Sequence, residues 1–374
     1  MSARVKPSRI LHLVGAAEDN GGILSTIRGL ASGSEAGVWE HVLWMRSSFL
    51  QTRKPHLACR YSHHALDESG SHLRLLFAAW RAWPDLQRLL AIEPCAVVHA
   101  HSRGSLPLAI RLARRKQPVV FTNHAYARRT GLYRAASRVQ GLRTVLLTPN
   151  HARHYGLEPQ PGRIEILSEC GADRFFDAPI PARPPTAARP LQFVGIGNVV
   201  GWKKWELLLD AIHRLPVELR NRIQVTIWGP IPADRAARQY SEELRAAIQE
   251  NGLQPHFRLA GPTAEVERIL ARADWFVLPS TNEPCSVALI EALASGVPAL
   301  VSASGGNTDI VEDNVTGAHF IPDSAESLSG RLESILNGTL QPAPPEVIRA
   351  SVAERSATVI AGRYAALYRE MMGG

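Results

Sequence analysis

The chain has 374 residues, of which 45% are hydrophobic and 20% charged, and its formal net charge is +8. This composition excludes a disordered chain and is typical of a soluble globular protein long enough for two domains. The excess of basic residues favours anionic partners: phosphates, nucleic acid or an acidic membrane surface.

Cysteine usage and hydropathy narrow the class of protein further. The four cysteines lie far apart without a C-x-x-C pair: Cys59, Cys95, Cys170 and Cys285. This argues against a zinc site or a disulfide framework and predicts a reducing cytoplasm. No apolar run approaches the roughly 20 residues that span a bilayer. The basic start of the chain runs into Glu18-Asp19-Asn20 without a convincing cleavage site, so we predict a first strand rather than a signal peptide.

Two segments of the chain have the same plan. RILHLVG (9–15) precedes a glycine-containing loop and a helical pattern, and LQFVGIG (191–197) does the same before WELLLDAIHRL. Each predicts the strand–loop–helix opening of a parallel α/β domain. Eight further segments have the pattern of buried strands: 96–100, 118–124, 144–148, 163–167, 223–229, 257–261, 275–280 and 298–302.

The segment 176–190 is rich in Pro, Ala and Arg and is the predicted linker. We therefore predict an N-terminal Rossmann-like domain over 1–183 and a second α/β domain over 184–350. The tail, 351–374, has helical periodicity and lies beyond the last predicted strand.

Two carboxylates bracket the start of a predicted helix in the second half. Glu283 falls just before this helix and Glu291 lies about two turns into it, while Ser286 is the predicted N-cap. The first amides, those of Val287 and Ala288, would point out of the helix start, which receives phosphate well. Carboxylates at both ends and donors between them suit a nucleotide-activated sugar. The alternative is one loop acid and one helix acid at a chance spacing.

A nicotinamide-binding loop is the competing interpretation of VGIGNVVG. Gly195, Gly197 and Gly201 do not fit G-x-G-x-x-G, because the last interval is one residue too long. The following strand, IQVTIWGP, also ends without the Asp or Glu that holds a cofactor ribose. Both observations count against a dehydrogenase.

The block PSTNEPCSVALIEALASGVPALVSASGGNTDIVEDNVTGAHFIPD resembles the donor-site block of the GT4 retaining glycosyltransferases, in which two glutamates have the separation of Glu283 and Glu291. VGIGNVVGWKK resembles the other donor loop of that family, with Gly197 and Lys203 at the matching positions. Asn198 stands where the family usually has arginine, so one cation beside the departing diphosphate is missing. Pro284-Cys285-Ser286 replaces the usual Gly-Phe-Gly, which puts the identity of the donor sugar in doubt.

The resemblance implies a GT-B architecture: two Rossmann-like parallel-sheet domains that face across a cleft, with the final helix on the first domain. It implies transfer of a hexose from a nucleoside diphosphate sugar to a hydroxyl acceptor, with retention and without a metal or other cofactor. Glu291 would hold the ribose and Glu283 the transferred sugar, while Lys203 and the first amides of the helix stabilise the diphosphate. Glycan, polysaccharide or lipid-linked saccharide synthesis is the expected setting.

In the first half, Gly21 and Gly22 follow the first strand and open its helix, where backbone can approach a phosphate or an acceptor closely. The alternative is a tight turn without a ligand. His124 ends a strand at the edge expected to face the cleft, and in similar proteins a histidine there contacts the donor. His101 ends the neighbouring strand and is a weaker candidate. These residues would complete the site from the opposite domain.

Basic amphipathic material predicts a further partner. SHLRLLFAAWRAWPDLQRLLA (71–91) mixes large apolar residues with spaced arginines, and such segments can hold an enzyme against anionic lipid. The alternative is an ordinary domain helix with a solvated arginine face. We predict a cytoplasmic protein, with the inner face of the membrane as an alternative location. No recognised nucleic-acid motif accompanies the charge, so nucleic acid is not a predicted partner.

Two rival functions remain open at this point. A degenerate GT-B protein would bind a nucleotide sugar or a partner without turnover, and Asn198 and Ser286 motivate that reading. A different GT-B enzyme, such as a phosphorylase or a sugar-nucleotide epimerase, is the other.

Overall fold

The computed structural model describes residues 7–68, 71–180 and 189–373. The chain divides into two compact units, one formed by Met1–Cys170 with Ala357–Gly374 and the other by Gly171–Ser356. The predicted domain boundary at 183/184 lies outside the described residues. Within the described ranges, no helix combines the length and apolar character needed to cross a bilayer.

Each unit contains one parallel sheet. In the first unit the described strands lie in the order β3-β2-β1-β4-β5-β6-β7, and in the second the order is β10-β9-β8-β11-β12-β13. Their bounds are β1 Ser8–Leu13, β2 Trp39–Arg46, β3 Ala58–Ser62, β4 Val97–Ala100, β5 Val119–Thr122, β6 Leu142–Leu146, β7 Ile164–Ile166, β8 Leu191–Ile196, β9 Ile223–Trp228, β10 Phe257–Gly261, β11 Trp275–Leu278, β12 Ala299–Ser302 and β13 Gly317–Phe320. In both sheets the strand order reverses beside the first strand, which is the doubly wound Rossmann arrangement.

Helices connect the strands and cover the sheets. Their bounds are α1 Gly22–Gly33, α2 His72–Ile92, α3 Leu106–Ala113, α4 Gly131–Ala136, α5 Pro149–Tyr155, α6 Asp173–Asp177, α7 Trp205–Arg214, α8 Val217–Arg220, α9 Arg235–Glu250, α10 Val266–Leu270, α11 Val287–Ala294, α12 Ala325–Leu336, α13 Pro345–Ala350 and α14 Ala357–Gly373. The predicted strand–loop–helix openings are therefore present as β1–α1 and β8–α7.

The first sheet buries both of its faces, as parallel sheets usually do. Ile10, Val97 and Val120 pack with residues of α14, whereas Leu11, Val98 and their neighbours pack on the other face. Side chains alternate between the two faces along each strand. Strands that are buried on both faces appear in the sequence as continuous apolar runs, and most strands of this sheet were predicted on that basis.

The last helix belongs to the first unit. α14 packs against α1, and the backbones approach closely, since a Cβ on Gly33 would lie 2.4 Å from the carbonyl oxygen of Ala357. Tyr364 and Tyr368 of α14 are buried in the same core as Ile10 and Val97.

Three strands were not among the sequence predictions: β2, β3 and β13. β2 carries Glu40 and His41 within its apolar pattern, and much of β3 is exposed or half-buried. β13 is only four residues long. Polar residues and short length weaken the apolar signal on which strand prediction depends.

Candidate functional site

The candidate donor site of the second unit lies where its strand order reverses. β8 and β11 are neighbours at this point, and the loops that follow them carry Gly197–Lys203 and Ser280–Glu283. In open parallel sheets, ligands bind beyond the carboxyl ends of the strands at such a reversal.

Lys203 and Glu283, predicted separately as catalytic residues, touch each other. Lys203 Nζ lies 2.7 Å from Glu283 Oε2, and the two side chains are 8% and 9% exposed. Ser280 Oγ donates to the same carboxylate oxygen at 2.9 Å. A Cβ on Gly197 would lie 3.2 Å from Lys203 Cε, so this glycine leaves room for the lysine side chain. The structure thus brings together a cation, a carboxylate and a glycine without a side chain, Gly197, at one point.

The helix that follows Glu283 begins as the sequence predicted. Ser286 is the N-cap of α11, and its side chain accepts from the amide of Leu289 at 3.3 Å. Val287 and Ala288 are the first two helical residues and are half-buried. Amides at these positions have no partner within a helix, so they remain donors for an anion. Glu291 is also half-buried, one turn further along the helix, and its Cγ lies 3.3 Å from the position of a Cβ on Gly171.

A glycine pair fixes the backbone of Glu283. Gly305 has φ +60°, and a Cβ there would lie 2.6 Å from the carbonyl oxygen of Glu283. The amide of Gly306 donates to that oxygen at 2.7 Å, and the amide of Asn282 donates to Ser304 Oγ at 2.9 Å. The loop that carries Glu283 is therefore held on both sides by the segment after β12.

The position without the usual arginine directly follows Gly197 in the loop after β8. Asn198 is half-buried, and its carbonyl accepts from Trp205 Nε1 at 3.2 Å. Lys204, the residue after Lys203, has its Nζ 3.2 Å from Asp323 Oδ1. Lys203 also lies over the ring of Trp202, 4.3 Å from its centroid, so aromatic and carboxylate groups both surround its charge.

In the first unit, the predicted glycine loop is next to a carboxylate. Gly21 has φ +85° and precedes α1, and a Cβ on Gly22 would lie 3.1 Å from Glu169 Oε2. His124 Nδ1 lies 2.8 Å from Glu169 Oε1, with both side chains 6% exposed. An ionised carboxylate is stabilised at a helix start but repels a phosphate there. These contacts favour a hydroxyl-bearing ligand at Gly21–Gly22.

A run of hydrogen-bonded imidazoles extends from His124 through the sheet. We call it the histidine chain, and it consists of His41, His12, His101 and His124. The three links are 2.9, 2.8 and 3.1 Å long. At one end it reaches Glu169, and at the other His41 Nε2 lies 3.1 Å from Ser34 Oγ. Only the His124 end had been predicted as functional, with His101 as a weaker candidate.

A fifth histidine lies beside the chain without being part of it. The ring centroid of His99 is 3.9 Å from that of His101. His99 Nδ1 pairs with the Tyr368 hydroxyl and His99 Nε2 with Thr122 Oγ1, each at 2.7 Å. His12, His99 and His101 lie close enough together to share a metal ion, but their ring nitrogens are already engaged in these hydrogen bonds.

Burial keeps the inner rings neutral. It lowers the pKa of His12, His99 and His101 well below the ordinary 6.5, and neighbouring histidines lower it further. Burial also lowers the pKa of His41 to about 4. A charged imidazole would have to give up its hydration inside this sheet.

Helix α2 has a second apolar stripe, which faces outward. Leu75, Ala79 and Leu86 are among its buried residues. The outward stripe has helical spacing, and its exposures are Leu73 81%, Leu76 56%, Phe77 58% and Trp80 67%. Arg74, Arg81 and Arg88 are exposed on the same helix, with the Arg81 guanidinium 5.8 Å from the Phe77 centroid. The alternative of an ordinary domain helix predicts a solvated face made of arginines. The structure shows that this helix also exposes these four large apolar residues.

Several residues of these clusters escaped the sequence reasoning: Ser280, Glu169, His12, His41 and His99. The sequence contains one indication for the histidines. Each lies two residues after a core residue of the same strand, as His12 does after Ile10, and therefore faces the same side of the sheet. Nothing in the local pattern pointed to Glu169.

Comparison with solved structures identifies the class of fold. The sucrose-phosphate synthase of Thermosynechococcus elongatus has a TM-score of 0.79 at 17% identity, over 98% of this chain and 99% of that chain. HepE of Anabaena, in complex with UDP and glucose, has a TM-score of 0.77 at 15% identity, over 97% and 99%. The predicted class is confirmed: the chain has the two Rossmann-like parallel-sheet domains of the GT-B fold.

The family match falls on the second half of the chain. Residues 179–349 match the family model described as glycosyl transferases group 1. The D-inositol 3-phosphate glycosyltransferase of Geodermatophilus obscurus is 30% identical over 189 residues, which are 47% of this chain and 41% of that protein. The chain spans less than half the length of curated relatives it matches, with 45%, 29% and 43% for three of them. The matched segment lies within the bounds of the second unit and contains Lys203, Glu283 and Glu291.

Proposed function

We propose that this protein is a GT4-type retaining glycosyltransferase, which moves a hexose from a nucleoside diphosphate sugar to a hydroxyl acceptor. Glycan, polysaccharide or lipid-linked saccharide synthesis is the proposed setting. One matched relative is a D-inositol 3-phosphate glycosyltransferase, and one neighbour of the same fold was solved with UDP and glucose.

The buried contact between Lys203 Nζ and Glu283 Oε2 carries this proposal. A lysine ammonium beside the open start of α11 suits a diphosphate, whose charge grows as the sugar leaves. A carboxylate next to it suits the hydroxyls of the transferred sugar, and Glu291, further along the helix, suits the ribose. Lys203 and Glu283 neutralise each other. Donor binding would exchange this ion pair for lysine–phosphate and carboxylate–hydroxyl contacts.

In the proposed reaction the bond between the anomeric carbon and the phosphate oxygen breaks, and the acceptor oxygen bonds to the same face of the sugar. The departing phosphate oxygen takes the acceptor proton, so no protein base is required. We propose that no metal is required either, because Lys203 and the amides of Val287 and Ala288 supply the positive potential. Undiminished transfer in EDTA would support this; loss restored by Mg²⁺ would contradict it.

Donor screening tests the activity. The full chain is incubated with UDP-, GDP- and ADP-sugars, and released nucleotide is measured. We expect one donor to be turned over. Glu283→Gln should lose at least 100-fold, because removing one preorganised group at a reacting centre costs about 10²–10³ in rate. Glu312→Ala, at an exposed acid of the same unit, is the matched control and should keep full activity. Full activity in the Glu283 variant would refute the site.

A nucleotide-binding protein without turnover is the second candidate. Two observations favour this candidate. Asn198 stands in place of a cation, and Lys203 and Glu283 neutralise each other. Nucleotide binding by calorimetry without release from any donor, acceptors included, would establish this candidate instead. An epimerase or phosphorylase would be shown by a changed sugar nucleotide or by a phosphate-dependent product.

We also propose that the outward stripe of α2 contacts an anionic membrane. Leu73, Leu76, Phe77 and Trp80 provide apolar area, and the exposed arginines of the helix complement lipid phosphates. The sequence-based prediction of a cytoplasmic location, at the inner face of the membrane, remains part of this proposal.

Vesicle sedimentation tests the membrane contact. We expect binding to phosphatidylcholine vesicles containing phosphatidylglycerol, weakened by salt, and little binding to phosphatidylcholine alone. Phe77→Ser with Trp80→Ser should abolish it, whereas Leu50→Ser, at an aliphatic residue of the same unit that is 75% exposed, should not. Equal binding by both variants would contradict the proposal.

A further inference from the structure

The rings of the histidine chain meet head to tail. In each link Nδ1 of one ring faces Nε2 of the next, in the order His41, His12, His101, His124. The last Nδ1 faces Glu169 Oε1, and the first Nε2 faces Ser34 Oγ. A neutral imidazole has a single N–H. For every link to contain one proton, all four neutral rings must therefore hold their protons on the same type of nitrogen.

The two ends of the chain decide which tautomer the rings hold. An ionised Glu169 accepts hydrogen bonds only, so it requires Nδ1–H on the adjacent ring and, through the links, on all four rings. In that arrangement Ser34 Oγ donates to His41 Nε2. In the other arrangement Ser34 Oγ donates to the carbonyl oxygen of Leu30 at 2.5 Å and accepts from His41 Nε2–H. The second arrangement contains one additional proton, either on one of the rings or on Glu169.

Burial decides where that proton is stable. The pKa of His12 and His101 is held well below the ordinary histidine value by burial, and that of His41 is lowered to about 4. A charge therefore does not rest on the inner rings, although a proton can pass through them. When the proton lies on the His124–Glu169 pair, the other three rings are neutral with Nε2–H and each link is made.

We propose that the histidine chain is a proton relay between the Ser34 end and Glu169, the carboxyl group that lies against Gly22 at the start of α1. Ser34 is half-buried and so can exchange protons with solvent, whereas Glu169 is buried. The chain would thus set the charge of the His124–Glu169 pair from the opposite end of the strands.

Each step of the relay breaks one N–H bond and forms another. Ser34 gives its hydroxyl proton to His41 Nε2 and takes a proton from solvent in its place, and His41 releases its Nδ1 proton to Nε2 of the next ring. The same exchange repeats along the chain until His124 gives its Nδ1 proton to Glu169 Oε1. The rings end neutral with Nε2–H, and Glu169 ends uncharged. The reverse sequence returns the proton to solvent, and no group is oxidised or reduced.

Other titratable groups of the described residues face the chain, among them His151, which interacts electrostatically with His124. His99 stacks against His101, and Tyr364 and Tyr368 reach the cluster from α14 through Thr122 and His99. His99 has its ring nitrogens on Tyr368 and Thr122, so it lies outside the path of the proton. It is equally buried and therefore provides a matched control.

The relay would control which ligand the start of α1 accepts. With Glu169 ionised, a hydroxyl group can donate to it at Gly22; with Glu169 neutral, the repulsion of an anion is removed. This consequence rests on the proposed transfer to a hydroxyl acceptor, but the relay itself does not.

Nitrogen-15 NMR of the histidine-labelled full chain tests the relay without any activity assay. We expect the four rings to share one tautomer at each pH of a titration and to change together in one step. In His12→Gln the rings on either side should change independently, whereas in His99→Gln all four should still change together. Glu169→Gln cannot ionise and should abolish the joint change. Mixed tautomers in the parent protein, or a joint change that survives in both His12→Gln and Glu169→Gln, would overturn the relay.

The kinetic readout separates a relay from a packing role. If transfer is observed, His12→Gln should move the pH midpoint of kcat/KM, and His99→Gln should leave it in place. If no donor is turned over, the proposed function fails, while the NMR result still decides the relay. Should His12→Gln fail to fold, Glu169→Gln, at the end of the chain, carries the test.

Discussion

Lys203 Nζ lies 2.7 Å from Glu283 Oε2, although the two residues are 80 positions apart in the sequence and both side chains are buried. Each residue belongs to a different motif of the sequence and has a different predicted role. Their contact joins the loops after β8 and β11 into one site, where a single substitution should affect both stability and binding.

Lys203→Met is expected to destabilise the second unit by about 3–5 kcal/mol, because it leaves the Glu283 carboxylate buried without its cation. Adding Glu283→Gln should recover much of that loss, since the unpaired charge is removed. Urea unfolding of the single and double variants measures this coupling. Lys204→Met is the control, because Lys204 contacts Asp323, whose side chain is 61% exposed, and should change stability little. Additive losses in the double variant would contradict a coupled pair.

Gly305→Ala should cost more than Gly338→Ala. Both glycines have positive φ, +60° and +71°, so alanine pays a similar backbone penalty of about 1 kcal/mol at each. At Gly305 the new Cβ would also lie 2.6 Å from the carbonyl oxygen of Glu283, whereas nothing lies within 4 Å at Gly338. Thermal unfolding gives the difference. We expect only Gly305→Ala to weaken nucleotide binding, and equal effects of the two variants would show that the Glu283 loop tolerates displacement.

Ser286→Ala should weaken both the helix and nucleotide binding. Loss of an N-cap costs about 1 kcal/mol, and the freed amide of Leu289 no longer holds the start of α11 in place. Ser324 caps α12 in the same way, so Ser324→Ala should lose similar stability without loss of nucleotide affinity. Calorimetric titration with UDP, GDP and ADP compares them. Unchanged affinity in Ser286→Ala would exclude the helix start as the diphosphate site.

The first unit should lose stability in mild acid. The folded-state pKa of His12, His99 and His101 lies well below the unfolded value near 6.5, and that of His41 is about 4. The unfolded chain therefore binds more protons, so stability is complete above about pH 6.5 and falls as the pH drops, by up to about 1.4 kcal/mol per pH unit for each group.

Urea unfolding at pH 7.5, 6.5, 5.5 and 5.0 measures this slope. His99→Gln should reduce it, while His213→Gln, at an exposed histidine of the second unit, should not. A free energy of unfolding that stays constant between pH 7.5 and 5.0 would mean that these rings are not held neutral by burial.

Much of the second unit could be predicted because its signals are local. A run such as Trp275–Leu278 is apolar enough to read as a buried strand, and Ser286 before a helical pattern reads as a cap. Capping and strand burial depend on neighbours within a few residues, and the sequence presents those directly. The same reasoning overlooked β2, because Glu40 and His41 interrupt its apolar pattern.

The histidine chain shows what local patterns cannot reveal. In the parallel register of β1 with β2, Ile10 is opposite His41, and in that of β1 with β4, His12 is opposite His99. Residues that are paired across parallel strands share a face of the sheet. These registers therefore place histidine side chains from distant segments on the same face. A shift of one residue would send each ring to the other face.

The sequence by itself determined two parallel α/β domains, the helix start at Ser286 and the identity of the candidate donor residues, because short-range periodicity and motif spacing encode them. Only the tertiary structure decided that Lys203 pairs with Glu283, that Glu169 lies against Gly22, and that α2 has an outward apolar stripe. These are contacts or exposures set by strand register and packing between segments far apart in the chain, and no local pattern specifies them.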